Sequence, residues 1–401
     1  MIQRLALIAL LFTSACSGVI PNIGAAPTTV APTQAPTTVA STATSLPPSP
    51  TTPPTDTPSP TLTPTPVAFG PTNFPANVSP LSGDVASDPA NLERRPVAVK
   101  VQIFPRGQRP PSGISKADIV YDFYQNFGLT RLHAIFLGEN AEVVGPIRSA
   151  RLLDIDLINM YKSIFAFGGA ESRTINRLFN QAFSNRLIVE GSGKCPAMCR
   201  VDPNGYNYLV ANTAEITNYA EAQGIDNTRQ NLDGMSYHAA IPAGGGPAPQ
   251  IYVRVSISSY SRWDYDPVGG RYLRFQDSIE THDVQGEAYE PLTDRENGLQ
   301  VTAENVVVLM VPHQYAFGSK PGPNEVVNIL LSGSGEAYAF RDGQGFEVTW
   351  NRPAIDSVLL LTFPDGTPYT FKPGNTWFQI VGQSSKVENP ESIWRFTMNI
   401  P

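Results

Sequence analysis

The amino-acid sequence predicts an α/β globular domain with a mixed or parallel sheet, then a β-rich domain, both carried on a disordered Pro/Thr stalk. Three observations predict it. Between residues 97 and 224, runs of branched residues alternate with amphipathic helical stretches, the pattern of a sheet covered by helices. Beyond residue 250 the helical period gives way to short apolar runs separated by turn signals. Before residue 79, proline and threonine dominate.

The chain opens "MIQRLALIALLFTSACSG". Arg4 supplies a charged start, Leu5 to Phe12 a short apolar run, and Ser14 and Ala15 precede Cys16. This reads as a secretory signal. Its end resembles the bacterial lipobox, although Thr13 stands where that motif usually has an aliphatic residue. The resemblance implies removal of residues 1–15 and lipidation of Cys16, with at least two acyl chains for firm anchoring. A plain signal peptide cut nearby, or an uncleaved anchor, is the alternative. No later stretch approaches the ~18 apolar residues of a spanning helix.

The stalk is expected over residues 16–78. From Pro27 to Pro66, proline and threonine fill 26 of 40 positions, and Asp56 is the only charge. Such a segment buries too little apolar area to offset its ordering entropy. Extended polyproline II is its favoured local state, at ~3.1 Å per residue.

The α/β domain is expected over residues 79–238. "PVAVKVQIF", "TRLHAIFLG", "SIFAFGG" and "RLIVEG" read as strands, with a further apolar run in "SGISKADIVYDFYQ". "ESRTINRLFNQAF" is amphipathic. "NTAEITNYAEAQG" carries an Asn212 cap, Glu215 three residues on and a closing Gly224. In "GPIRSARLLDIDLINMY", Pro146 is expected to open a buried helix whose start carries Arg148, Ser149 and Arg151. Two readings of that start stay open. One is local structure: a cap near Ser149 and an Arg151–Asp154 pair. The other is an anion site, with arginine forks, helix N–H groups and close backbone approach at Gly168 and Gly169.

Several motifs in order, "RRPVAVKVQIFPRGQRPPSGISKADIVYDFY", "TRLHAIFL", "GPIRSARLLDIDL" and "FAFGG", then "WDYDPVGGRYLRFQD", "ENVVVLMV", "GSGEAYAFRDG" and "GNTWFQIV", resemble the YerB-like bacterial lipoproteins, a family of unknown biochemical function. The resemblance covers roughly residues 79–384. It implies an α/β part followed by a β-rich part, and no activity. The loop "SGKCPAMCRVDPNGYNY" departs from the pattern. A weaker resemblance in motif order is to the LytR–CpsA–Psr phosphotransferases, through Asp118, Arg148 to Arg151, and Gly168-Gly169. The spacing differs and their Arg-Asp pair is absent. That resemblance implies Asp118 as a metal or phosphate ligand, with the arginines stabilising a transferred phosphoryl group.

Other chemistry is thin. Cys195 and Cys199 suit a short disulfide in an exported protein, and a metal site would need two more ligands. The histidines His133, His238, His282 and His313 are scattered, and His133 lies in an apolar run. "GSGK" at Gly191–Lys194 lacks the full phosphate-loop pattern. The "DID" at Asp154–Asp156 and "DYD" at Asp264–Asp266 read as structural. The β-rich domain is expected over residues 239–401, after a Gly/Pro-rich junction from Gly234 to Gln250. Its tryptophans, Trp263, Trp350, Trp377 and Trp394, are expected in the core.

The net charge of −7 argues against general nucleic-acid binding. From Glu93 to Arg151, however, nine Lys or Arg face five Asp or Glu. The reading is an extracytoplasmic, membrane-anchored lipoprotein binding an anionic envelope component without catalysis, with no cofactor or metal implied. The ligand class is a phosphate-bearing glycopolymer, a peptidoglycan fragment or a lipid phosphate. The alternatives are a phosphoglycopolymer transferase or hydrolase, and a protein-assembly adaptor with an unidentified partner.

Overall fold

The computed structural model describes residues 68–202, 208–322 and 324–400. The expected signal peptide, Cys16 and nearly all of the stalk lie outside the described residues. From the N-terminal side come β1 (Val97–Val101), β2 (Ile119–Asn126), β3 (Leu129–Phe136), β4 (Ile164–Phe167) and β5 (Leu187–Val189). The helices are α1 (Leu153–Tyr161), α2 (Ser172–Phe179) and α3 (Thr213–Ala222). Then follow β6 (Gln250–Arg254), β7 (Tyr260–Asp266), β8 (Arg271–Asp277), β9 (Asn305–Val311), β10 (Gly333–Arg341), β11 (Gln344–Arg352), β12 (Leu360–Thr362), β13 (Thr376–Gly382) and β14 (Ile393–Thr397).

The main sheet of the described residues runs β12-β11-β10-β9-β13-β2-β3-β1-β4-β5, with Gly246–Pro247 added beside β11. It is mixed. β1 and β4 pair in parallel, as do β2 and β13, and β9 and β13, while β3 runs against both β1 and β2. The two segments expected as separate domains therefore meet in one sheet. Ile119 to Phe123 of β2 pair with Thr376 to Ile380 of β13. A second sheet is built on β8-β7-β6-β14, flanked by short strands. An α/β part and a β-rich part are both present.

Alternation along each strand assigns its side chains to two cores. On one face Ala98, Tyr121, Phe123, Leu309 and Phe378 pack with Leu153, Leu157 and Ile158 of α1 and Leu178 of α2. On the other, Val97, Val99, Val308 and Trp377 pack with Ile216 of α3 and with Ile251, Trp263 and Phe396 of the second sheet. Sequestered on both faces, β9 and β13 read as continuous apolar runs rather than alternating ones. The second sheet is also pinned by a buried ion pair. Arg274 of β8 reaches Asp122 of β2 at 2.7 Å, with its guanidinium between Trp263 and Trp377 at 4.9 and 5.0 Å.

Candidate functional site

The segment from Pro146 to Ala150 does not open a helix. It threads between the C-terminal ends of β1 and β4. Arg148 N–H donates to the Lys100 carbonyl, the Gly168 N–H donates to the Arg148 carbonyl, and Ala150 N–H donates to Gly169 (2.9, 3.0 and 2.8 Å). These bonds tie residues 148 to 150 to the two strand ends, so α1 begins only at Leu153, with no side-chain cap. Ser149 is not a cap; its carbonyl accepts from Arg131 Nη1 at 2.8 Å. The Arg151–Asp154 pair takes another form. Asp154 accepts from the Arg151 backbone N–H, and its other oxygen faces Lys100 and His133.

Three half-buried arginines thus gather where the parallel strands end. Arg151 Nη2 donates to Gln125 Oε1 at 2.9 Å and Nη1 to the Ala150 carbonyl at 2.9 Å. Arg148 Nε donates to Gln102 Oε1. Gly168 packs against the backbone of Arg148, where an added Cβ would make only an ordinary contact at 3.6 Å. Gly169 has φ +116° with open space where a side chain would stand, a conformation that glycine alone adopts readily.

Beneath the arginines lies a fully buried cluster. Lys100 Nζ is 3.0 Å from Asp154 Oδ1, His133 Nδ1 is 2.8 Å from the same oxygen, and Nζ also sits 3.6 Å from the Phe123 ring. Burial pushes the Lys100 ammonium down to about 7; Asp154 opposes the shift, and Arg131 and Arg151 add to it. Burial alone would raise Asp154, but Lys100, His133 and the Arg151 amide outweigh it and hold the carboxyl down to about 2. Burial also lowers His133. Arg151 is pushed by burial to about 10, against the pull of Asp154 and Glu171, and so remains a cation at neutral pH. The field here is positive, and its cations are incompletely solvated.

Asp118 stands elsewhere. It precedes β2, whereas Gln125, which holds Arg151, lies near that strand's far end. Seven residues of strand separate them, roughly 20 Å. Asp118 accepts from Ser79 Oγ at 2.8 Å and from the Leu137 and Gly138 amides at 2.7 and 3.0 Å. It lines a cleft of about 550 Å³ together with Asp84, Lys116, Arg271, Glu304 and Lys372. The structure brings Arg148, Ser149, Arg151, Gly168 and Gly169 together and leaves Asp118 apart.

Cys195 and Cys199 are joined by a disulfide with Cα atoms 4.8 Å apart. Lys194 donates to Tyr219 Oη. Asp156 pairs with Arg352 at 2.7 Å and Asp264 with Arg262 at 2.8 Å. Trp263, Trp350, Trp377 and Trp394 are all buried. Among the described residues no group of three or more His, Cys, Asp or Glu is arranged to hold a metal, and no helix is long and apolar enough to cross a membrane.

Sequence reasoning missed Lys100, Gln102, Gln125 and Arg131, and read His133 and Asp154 as separate structural residues. A signal for Lys100 was present. In "VAVKVQ" it shares a strand face with Ala98, and a lone cation facing a core demands a buried partner. Gln125 and Arg131 carry no local signal.

The chain matches both models of a protein family of unknown function, DUF3048, its N-terminal domain over residues 81–226 and its C-terminal domain over residues 251–378. It is 30% identical over 315 residues to YerB of Bacillus subtilis (strain 168), which is designated a lipoprotein by name; the alignment covers 76% of this chain and 86% of the relative. The crystal structure of the YerB protein from Bacillus subtilis superimposes with a TM-score of 0.62 at 26% identity, covering 76% of this chain and 96% of that one. Two matched domains in the same order, a full-length relative and a shared fold place this chain in the YerB-like DUF3048 family.

Proposed function

We propose that this protein is an extracytoplasmic lipoprotein, held to the membrane through Cys16, that binds an anionic envelope component at the arginine cluster without transforming it. The observation that carries this reading is the convergence of Arg131, Arg148 and Arg151 at the C-terminal ends of β1 and β4. Ligands of α/β sheets gather at such ends. Neutral oxygens of Gln102, Gln125, Ser149 and Ala150 hold the guanidiniums in place. Burial leaves Lys100 and Arg151 short of the solvation a cation normally has, so an arriving anion would offset part of that cost. Phosphate, in a glycopolymer or a lipid headgroup, fits the planar arginine fork best.

The roughly 20 Å between Asp118 and the arginines favours binding over phosphoryl transfer, which needs its metal ligand and its charge clamp around one phosphate. The test is titration of full-length protein with poly(glycerol phosphate) and with vesicles containing phosphatidylglycerol. Arg148→Gln and Arg151→Gln are each expected to weaken binding about ten- to a hundred-fold, the loss of one charge-assisted contact, and to flatten its salt dependence. Unchanged affinity in the double variant sinks the reading. Turnover of a polyprenyl-pyrophosphate-linked sugar with Mg²⁺, lost in Asp118→Ala, would replace it with the transferase alternative.

A further inference from the structure

The cleft at the other end of β2 is lined by both acidic and basic side chains, contributed by distant parts of the chain. Asp84, Asp118, Glu139 and Glu304 are among its acids; Arg271, at the start of β8, is among its bases. Most of its polar groups are already engaged. Asp118 has its three donors. Lys116 pairs with Glu296 at 3.2 Å, and Lys372 with Asp342 at 2.8 Å. Glu304 Oε2 accepts from the Asn375 N–H at 3.1 Å. Gly374 makes that bond possible: its φ is +130°, and a Cβ there would stand 2.3 Å from Glu304 Cγ.

Two charged lining groups remain unengaged. Among the described residues no side-chain hydrogen bond or ion pair engages the Asp84 carboxylate or the Arg271 guanidinium, and both residues are exposed. An acid and a base left open in a single cleft suit a ligand that carries both complementary charges. Asp84 calls for a hydrogen-bond donor, best a cationic one beside Glu304 and Asp118. Arg271 calls for an anion, best a carboxylate.

We propose that this cleft binds an amino acid or short peptide through both charged groups, its ammonium against Asp84 and Glu304 and its carboxylate against Arg271. Partial desolvation in the cleft, with Glu304 and then Asp118, pushes the Asp84 carboxyl up to about 6 although its surface stays open to the cleft. An arriving ammonium relieves that repulsion, so binding strengthens as pH rises through 6 and releases a proton there. The charged groups that share the cleft with Asp84 are Glu304, Asp118 and Glu139, and Lys116, Lys372 and Arg271. The site lies roughly 20 Å from the arginine cluster and is independent of it.

The experiment is calorimetric titration of full-length protein with tri-alanine, N-acetyl-tri-alanine and tri-alanine amide. Tri-alanine is expected to bind, and each blocked peptide to bind at least ten-fold more weakly. Asp84→Asn should remove the penalty for N-acetylation while keeping that for amidation, and Arg271→Gln should do the reverse. Both positions are exposed, so both variants should fold. Arg148→Gln should leave all three titrations unchanged, which separates failure here from failure of the anion reading. Absence of tri-alanine binding at millimolar concentration overturns the proposal, as does equal binding of the blocked peptides or loss of binding in Arg148→Gln.

Discussion

Lys100 and Asp154 form an ion pair with both side chains fully buried, and such pairs are costly to break from one side. Asp154→Asn leaves an uncompensated cation beside Phe123 and should cost about 3–5 kcal/mol in urea denaturation. The pH dependence follows from the two depressed values. Asp154 sits at about 2, below its ordinary 3.8; its contribution is present above 3.8 and is lost as pH falls toward 2. Lys100 sits at about 7, below its ordinary 10.5. The unfolded chain binds that proton more tightly, so this group makes stability rise between pH 7 and 10.5. Lys100→Met should flatten the rise; an unchanged slope would contradict the assignment. The inward cation in "VAVKVQ" was readable, but its partner, 54 residues along the chain, was not. Asp84, Arg271 and Asn375 were less legible still, because each is an ordinary surface-type residue until the fold brings three distant segments to one cleft.

At the level of single elements, legibility followed whether the local signal met competition. For α3 it met none. Asn212 caps the helix, accepting from the Glu215 N–H at 3.1 Å, and Gly224 adopts φ +68° after its end. Asn212→Ala should cost about 1 kcal/mol, read as a lowered midpoint in thermal denaturation; an unchanged midpoint would mean the cap carries no net stability. For α1 the local signal lost. Pro146 can open a helix, but the peptide groups just beyond the C-terminal ends of β1 and β4 claimed the residues that follow it. Backbone bonds to residues some 20 to 48 positions away cannot be seen in a window of helical period. The arginines thus lie beside Gly168 and Gly169 on a non-helical link tied to two strand ends.

For the molecule as a whole, the apolar runs of β9 and β13 announced buried strands, but not which sheet they would enter. Periodicity reports how buried a strand is and says nothing of its neighbour. Here β13 lies between β2 and β9, making parallel ladders to both. The parts before and after residue 238 are thus joined by backbone hydrogen bonds through a common core. The described residues should unfold in a single transition, with tryptophan fluorescence, which reports only on positions from 263 to 394, coinciding with far-UV circular dichroism. Two separated transitions would show that the sheet divides.

That placement also sets an order of events during biosynthesis. The chain emerges from its N-terminal end, so β2 is made some 250 residues before its neighbour β13 is complete at Gly382. Throughout that interval the middle of the sheet is an open edge, the kind that recruits foreign strands. For the exported chain proposed above, this topology supplies a delay: the sheet locks only after nearly everything has been threaded through.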